Sequence, residues 1–312
     1  MSNFIVIFIC LTAGFLCRKA RQFPSHTASA LNSFIIYISL PGLVLSQLPQ
    51  LLIHLDFNSN WWLPASMAWL CFAISFIVFG TLGKKLHWGD SKTGALILTA
   101  GLGNTSFVGL PILEAIIGPE ALPIGILADQ PGSFLVLSTL GIMVAAFYSG
   151  AKITPGFIVK RVFTFPPFIA LVISFVWFFV FGINDPSSVD FLLPVFEKLG
   201  STLVPLALFA VGFQLKIDLE ILKRRGKPLL AGLVFKLVVI PAIMLLLYVK
   251  ILGGIGLVTH VIVLESAMAS MITSAVVAGE FNLDSELGNL MVGLSIPISL
   301  ISVPLWNYFL GF

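Results

Sequence analysis

Four sets of side chains in this sequence could do chemistry, and every one of them lies inside an apolar stretch. Asn104-Thr105-Ser106 sits between Gly101, Gly103, Gly109 and Pro111. Asp129-Gln130 is followed at once by Pro131-Gly132, Glu265 precedes the small, hydroxyl-rich run Ser266 to Ser274, and Lys236 stands in a long apolar segment. A carboxylate at such a depth costs about 2.5–3.5 kcal/mol on membrane-insertion scales, so intramembrane acids and bases mark ion or substrate paths more often than packing. Asp129 is read as a proton or Na+ carrier, or else as a structural carboxylate that caps a broken helix. Glu265 carries the same two readings, with Ser266, Ser270, Thr273 and Ser274 as oxygen ligands for Na+ in the first. Lys236 either snorkels to the surface or pairs with Asp129 or Glu265 as a substitute cation. Asn289 is a further candidate for a site-lining amide, and Glu114 reads as a water-facing interfacial residue.

The stretch Gly101 to Gly118 organises these groups. It is apolar enough for a bilayer but broken where a membrane helix should be most regular. Hydrocarbon tolerates irregular backbone only where protein buries it or a cavity meets it. A half-helix that begins at such a break aims about half a positive charge inward and favours an anion. Gly103, Asn104, Thr105, Ser106 and Pro111 are therefore the expected substrate contacts. The alternative is that the polar side chains only cap the broken ends. A broken span carrying amide and hydroxyl groups is the best sequence pointer to a transporter's binding site.

Composition sets the class. The 312 residues are 58% hydrophobic and only 10% charged, with mean hydropathy +1.06, whereas soluble domains carry about 25% charged residues. This predicts an all-α polytopic membrane protein. Ten spans are read at about 17–25 residues each: 3–17, 28–47, 61–83, 93–117, 122–148, 166–183, 192–215, 228–250, 256–278 and 286–310. Fourteen of the seventeen Lys and Arg fall in odd-numbered loops. The positive-inside rule then places those loops in the cytoplasm and both termini outside the cytoplasmic membrane. The ninth loop, with Glu280, Asp284 and Glu286, lacks a basic residue, but acidic residues weigh little in that rule. The first apolar run lacks a basic leader segment and does not read as a cleaved signal peptide.

A cut near residue 157 leaves five spans on each side, 1–156 and 157–312. An odd number per half means two inverted repeats. Pro41 and Pro205 are 164 residues apart, and the same offset carries the break at 104–111 onto 268–275, which reads Met-Ala-Ser-Met-Ile-Thr-Ser-Ala. Small residues there suit either close helix packing or a second break with Ser270 and Thr273 at the site.

The run Asn104-Thr105-Ser106-Phe107-Val108-Gly109-Leu110-Pro111 resembles the crossover motif of the auxin efflux carrier family, which includes plant carriers and many bacterial permeases. Leu31-Asn32 through Leu40-Pro41, Asp129 to Ser133 and Glu265 to Met268 resemble its second, fifth and ninth spans. The resemblance implies a fold similar to sodium/proton antiporters and bile acid symporters. It implies a scaffold of spans 1, 2, 6 and 7, a transport domain of spans 3–5 and 8–10, broken spans four and nine crossing at the substrate, and a homodimer through the scaffold. One departure stands out. The plant carriers have a proline at the ninth-span crossover, and here Ser270-Met271-Ile272 has none.

The function expected is secondary transport of a small organic anion, a carboxylate, with Na+ or H+ as coupling ion and no cofactor. The alternative is a cation/proton antiporter using Asp129 and Glu265. An intramembrane enzyme fits poorly. Gly101-Leu102-Gly103-Asn104 is similar to the Gly-x-Gly-Asp of intramembrane aspartyl proteases, but an amide cannot do their acid–base work. Cys10, Cys17 and Cys71 lack metal-ligand spacing, and the histidines are scattered. The bilayer is the expected environment, and nothing suggests nucleic acid.

Overall fold

The chain breaks its membrane helices where its glycines, prolines and small polar residues fall, and a computed structural model shows where. It describes residues 2–21, 23–24, 26–54, 62–182, 191–214 and 219–311. The helices are α1 (Ser2–Lys19), α2 (Thr27–Gln50), α3 (Leu63–Lys85), α4 (Asp90–Gly101), α5 (Thr105–Ile116), α6 (Pro119–Ser149) and α7 (Pro155–Phe163). They continue as α8 (Pro166–Phe181), α9 (Leu193–Gln214), α10 (Arg225–Ile251), α11 (Gly256–Ser266), α12 (Ile272–Glu280) and α13 (Ser285–Leu310). Among the described residues there is no strand, only one antiparallel bridge between Gly103 and Ser270. Six of these helices are long and apolar enough to cross a membrane, or seven with α7 and α8 taken as one span bent by 71°. The expected fourth and ninth spans are each two shorter helices, α4 with α5 and α11 with α12. The chain is thus all-helical and multi-pass. Asp56, Trp61, Asp185, Asp190 and Lys216, which the sequence places in loops and at span edges, lie outside the described residues.

The chain folds as two units. The first comprises Met1–Trp62, Ser106–Ile126 and Lys160–Leu215. Its helices α1 and α9 approach so closely that side chains must be absent from the contact. A Cβ on Gly14 would stand 2.8 Å from the Phe213 nitrogen, and one on Gly212 would stand 2.9 Å from the Leu11 carbonyl carbon. Small residues let membrane helices pack backbone to backbone. Arg18 Nη1 donates to the Phe213 carbonyl at 2.9 Å, and the Ser39 and Thr202 hydroxyls bond at 2.7 Å. Gly14→Ala or Gly212→Ala is expected to lower the melting midpoint through a cost of about 1–3 kcal/mol of overpacking. Gly156→Ala, which meets nothing within 4 Å, should change it by less than about 0.5 kcal/mol. Equal effects at all three positions would refute the close crossing.

The second unit comprises Leu63–Thr105, Leu127–Val159 and Lys216–Phe312. Its core centres on α4, whose Leu96, Ile97 and Leu98 are fully buried, with Phe79 of α3 edge-on to Phe235 of α10 at 4.9 Å. Two prolines shape its long helices. Pro241 cannot donate a backbone hydrogen bond, which frees the carbonyl four residues earlier. That carbonyl, Leu237, instead accepts from the Trp306 indole at 2.9 Å, inside a wide turn at Phe235–Val239. Pro131 lies in a similar wide turn at Asp129–Phe134, and the Pro131 carbonyl accepts from the Trp69 indole at 3.0 Å. Such wide turns gather at functional positions in helices. They hold Asp129, Gln130 and Lys236.

The acidic ninth loop finds its counter-charge here. Arg225 Nη1 lies 3.2 Å from Asp284 and Nη2 lies 3.3 Å from Glu286. Asp284 also caps α13 by accepting from the Leu287 N–H at 3.1 Å.

Candidate functional site

The second unit contains a crossing built from two helix breaks. After α4, Leu102 turns extended. After α11, the chain turns through Ala267 and Met268 and is extended by Met271, whose φ and ψ are −66° and 125°. The two extended pieces pair antiparallel. The Asn104 N–H donates to the Ala269 carbonyl at 2.7 Å, and the Met271 N–H donates to the Leu102 carbonyl at 3.0 Å. The Ser270 N–H is taken by the Ser295 hydroxyl of α13 at 2.9 Å. Buried backbone polar groups are thereby satisfied across the crossing, as a water-free interior requires. The second break therefore forms without a proline, at 267–271, within a few residues of where the repeat offset puts it.

Side chains from four elements meet there. Asp129 of α6, 1% exposed, accepts from the Thr105 hydroxyl at the start of α5 and from the Gln130 amide. Glu265, in the last turn of α11, is fully buried, and neither of its carboxylate oxygens has a hydrogen-bond partner among the described residues. Asp129 and Lys236 are both close enough to act on the Glu265 charge. Lys236 does not snorkel. It is 1% exposed, and its Nζ donates to the Ser266 carbonyl at 3.0 Å. The wide turn of α10 points it inward, where its stem packs in the core instead of leading to the surface.

Gly103 makes room for this arrangement, since a Cβ there would stand 3.2 Å from both Lys236 Nζ and the Glu265 carbonyl oxygen. Asn104, Thr105 and Ser270 are buried at the crossing, and Thr273, one position into α12, is half-buried. The hydroxyl of Ser270 and the amide oxygen of Gln130 are buried without a hydrogen-bond partner among the described residues. Ser106 and Pro111 are buried too, but they belong to the first unit. Pro111 lines a cavity of about 340 Å³ there with Ser46, Gln47, Glu114, Glu197 and Ser201. Asn289 is exposed on α13, beside the buried Gly288 and Leu290, and is not among the residues brought together.

Sequence reasoning passed over Ser295 and the two tryptophans that take up freed carbonyls. A serine two residues before Pro297 in the tenth span was the available signal for the first. Among the described residues, no group of three His, Cys, Asp or Glu side chains could hold a metal ion.

Residues 1–158 and 152–307 match the family described as membrane transport protein. The chain belongs to this family. It is the auxin efflux carrier family that the motif at 104–111 resembles, and the match runs over nearly the whole chain. A curated relative, an uncharacterized transporter of Methanocaldococcus jannaschii, is 27% identical over 315 residues, covering 99% of this chain and 98% of that protein. Another, an uncharacterized transporter of Methanothermobacter thermautotrophicus, is 26% identical over 304 residues, covering 96% and 95%. The protein is a membrane transporter, not an enzyme.

Proposed function

We propose that this transporter is a secondary carrier of a small organic anion, a carboxylate, and that the anion binds at the crossing of the two broken spans. The observation that carries the reading is the start of α12. Met271 is extended, no side chain among the described residues caps the helix, and the Ser274 N–H turns back to the Met271 carbonyl at 3.2 Å, so the Ile272 and Thr273 amides and the partial positive charge of a nine-residue helix are left for a ligand. Asn104, Thr105, Ser106, Gly103, Pro111, Ser270 and Thr273 are the proposed substrate residues. Asp129, Gln130, Glu265, Lys236 and Asn289 are the proposed coupling residues, with Asn289 the weakest because it is exposed.

The proposed architecture is ten spans in two inverted halves, with both termini outside the cytoplasmic membrane. Spans 3–5 and 8–10 form a transport domain that alternates access on a scaffold of spans 1, 2, 6 and 7, through which two copies pair. The division of the chain supports the assignment, since α1, α2, α8 and α9 group in the first unit and α3, α4 and α10–α13 in the second. It differs in one respect, because 106–126 groups with the first unit. The antiporter alternative draws on the two buried carboxylates, Asp129 and Glu265.

Thermal stabilisation of the purified protein by a panel of small carboxylates, with and without Na+, tests the reading. A specific carboxylate at a hundred times its Kd should add about 2.7 kcal/mol, a clear rise in melting midpoint. Stabilisation by Na+ or acid with no carboxylate effect would replace the anion carrier with the antiporter.

A further inference from the structure

The Lys236 ammonium occupies an unusual place. It lies deep in the second unit, against the carboxy end of α11, and the Ser266 carbonyl is the one acceptor it meets among the described residues. Carbonyls at a helix carboxy end carry partial negative charge and attract cations. The Glu265 carbonyl lies beside the same spot, and the Glu265 carboxylate, within electrostatic reach of the ammonium, has both oxygens unpartnered among the described residues. Backbone carbonyls plus a carboxylate are the donor set that hard cations take. Gly103 has no side chain to obstruct the ammonium.

We propose that Lys236 is the resident cation of the crossing: its tethered ammonium fills the place of a free monovalent cation, so the protein needs no Na+ there. The proposal deepens the transport reading and rests on it only for its bearing on coupling. A free cation in the same place would have to be bound and released in each cycle. A tethered one leaves the charge of the crossing fixed. It also accounts for an ammonium buried within electrostatic reach of Glu265 that forms no direct ion pair with it among the described residues: the ammonium is held by the carbonyl end of α11. Removing one charge of a buried set strongly destabilises, whereas removing both together is often tolerated.

The test compares melting midpoints of the full-length protein in detergent, in NaCl and in choline chloride at equal ionic strength. The wild type should melt at the same temperature in both salts, and a saturable rise with Na+ would overturn the proposal. Lys236→Gln should melt roughly 6–15 °C lower in choline chloride and regain a saturable part of that loss with Na+ or methylammonium. A Lys236→Gln protein that melts like wild type, or that ignores both cations, overturns it as well. If Lys236→Gln does not fold, the double variant Lys236→Gln/Glu265→Gln should fold and be indifferent to Na+. Failure of the double variant to fold would show that charge balance is not the role of Lys236. A protein with this salt pattern that no carboxylate stabilises would refute the anion-carrier reading and leave the resident cation standing.

Discussion

Asp129→Ala is expected to lower the melting midpoint by roughly 6–15 °C and to remove stabilisation by any carboxylate ligand. Asp129 is buried and accepts from the Thr105 hydroxyl and the Gln130 amide. Hydrogen bonds to a charged group are worth about 1.5–3 kcal/mol each, and deleting the acceptor strands two buried donors. The loss should therefore reach about 3–5 kcal/mol. Asp129→Asn keeps one acceptor oxygen and should lose about half as much stability. Thr105→Val removes the other partner, and a double-mutant cycle with Asp129→Asn should show coupling of about 0.5–3 kcal/mol. Additive effects of the two substitutions would mean that the hydroxyl and the carboxylate do not act together. Asp129→Ala melting within a degree or two of wild type would remove Asp129 from the framework of the crossing.

The position of Asp129 also bears on which helix start can take an anion. The amino end of α5 already has the Asp129 carboxylate bonded to its first residue, Thr105. The amino end of α12 has no side-chain cap. The two half-helices are thus electrostatically unequal, which is why the proposed anion is seated at α12. Two charges at the crossing stand opposite the local dipole, the Asp129 carboxylate at the amino end of α5 and the Lys236 ammonium at the carboxy end of α11, whereas the Glu265 carboxylate lies in the last turn of α11, on the unfavourable side of its own helix.

The sequence carried the first break plainly and the second only weakly, and the reason is physical. Gly101, Gly103 and Asn104 are residues that tolerate or favour broken helix, and they mark the end of α4 within a residue or two. The break at 267–271 has no glycine or proline in it. It is held open from outside its own segment, by Ser295 accepting from the Ser270 N–H and by Lys236 donating to the Ser266 carbonyl. Neither partner is near it in sequence, so local pattern could only suggest it through the repeat offset. The offset of 164 read from the two prolines points to 268–275, and the helix break falls at 267–271. Lys236 resisted reading for a similar reason: snorkelling and burial differ only in which way the wide turn of α10 faces, and that is set by Pro241 and Trp306. The helix α7 was missed because nine residues are too few for a span, and its basic residues Lys160 and Arg161 read as loop.

Proline substitutions one residue apart in the second break should have opposite outcomes. Met271→Pro removes the N–H that bonds the Leu102 carbonyl at 3.0 Å, one of the two backbone bonds joining the extended pieces. It also leaves that carbonyl buried without its donor, and the expected loss is about 3 kcal/mol or more, with carboxylate binding abolished. Ile272→Pro meets no such obstacle. Residue 272 is the first of α12, where a helix has no internal use for the N–H and where the fixed φ of proline suits the turn. The residue before a proline must be extended, and Met271 already is, at φ −66° and ψ 125°. Ile272→Pro should therefore stay within about 1 kcal/mol of wild type, because the stiffer unfolded chain offsets the lost apolar packing. The ninth-span proline of the plant carriers and its absence here would then be two ways of building one break, the first by removing a donor and the second by recruiting Ser295. Ser295→Ala should accordingly destabilise the wild type, by about 1–3 kcal/mol for the stranded Ser270 N–H. Melting curves of the three variants decide the matter. Equal damage from Met271→Pro and Ile272→Pro would mean that the helix does not begin at residue 272.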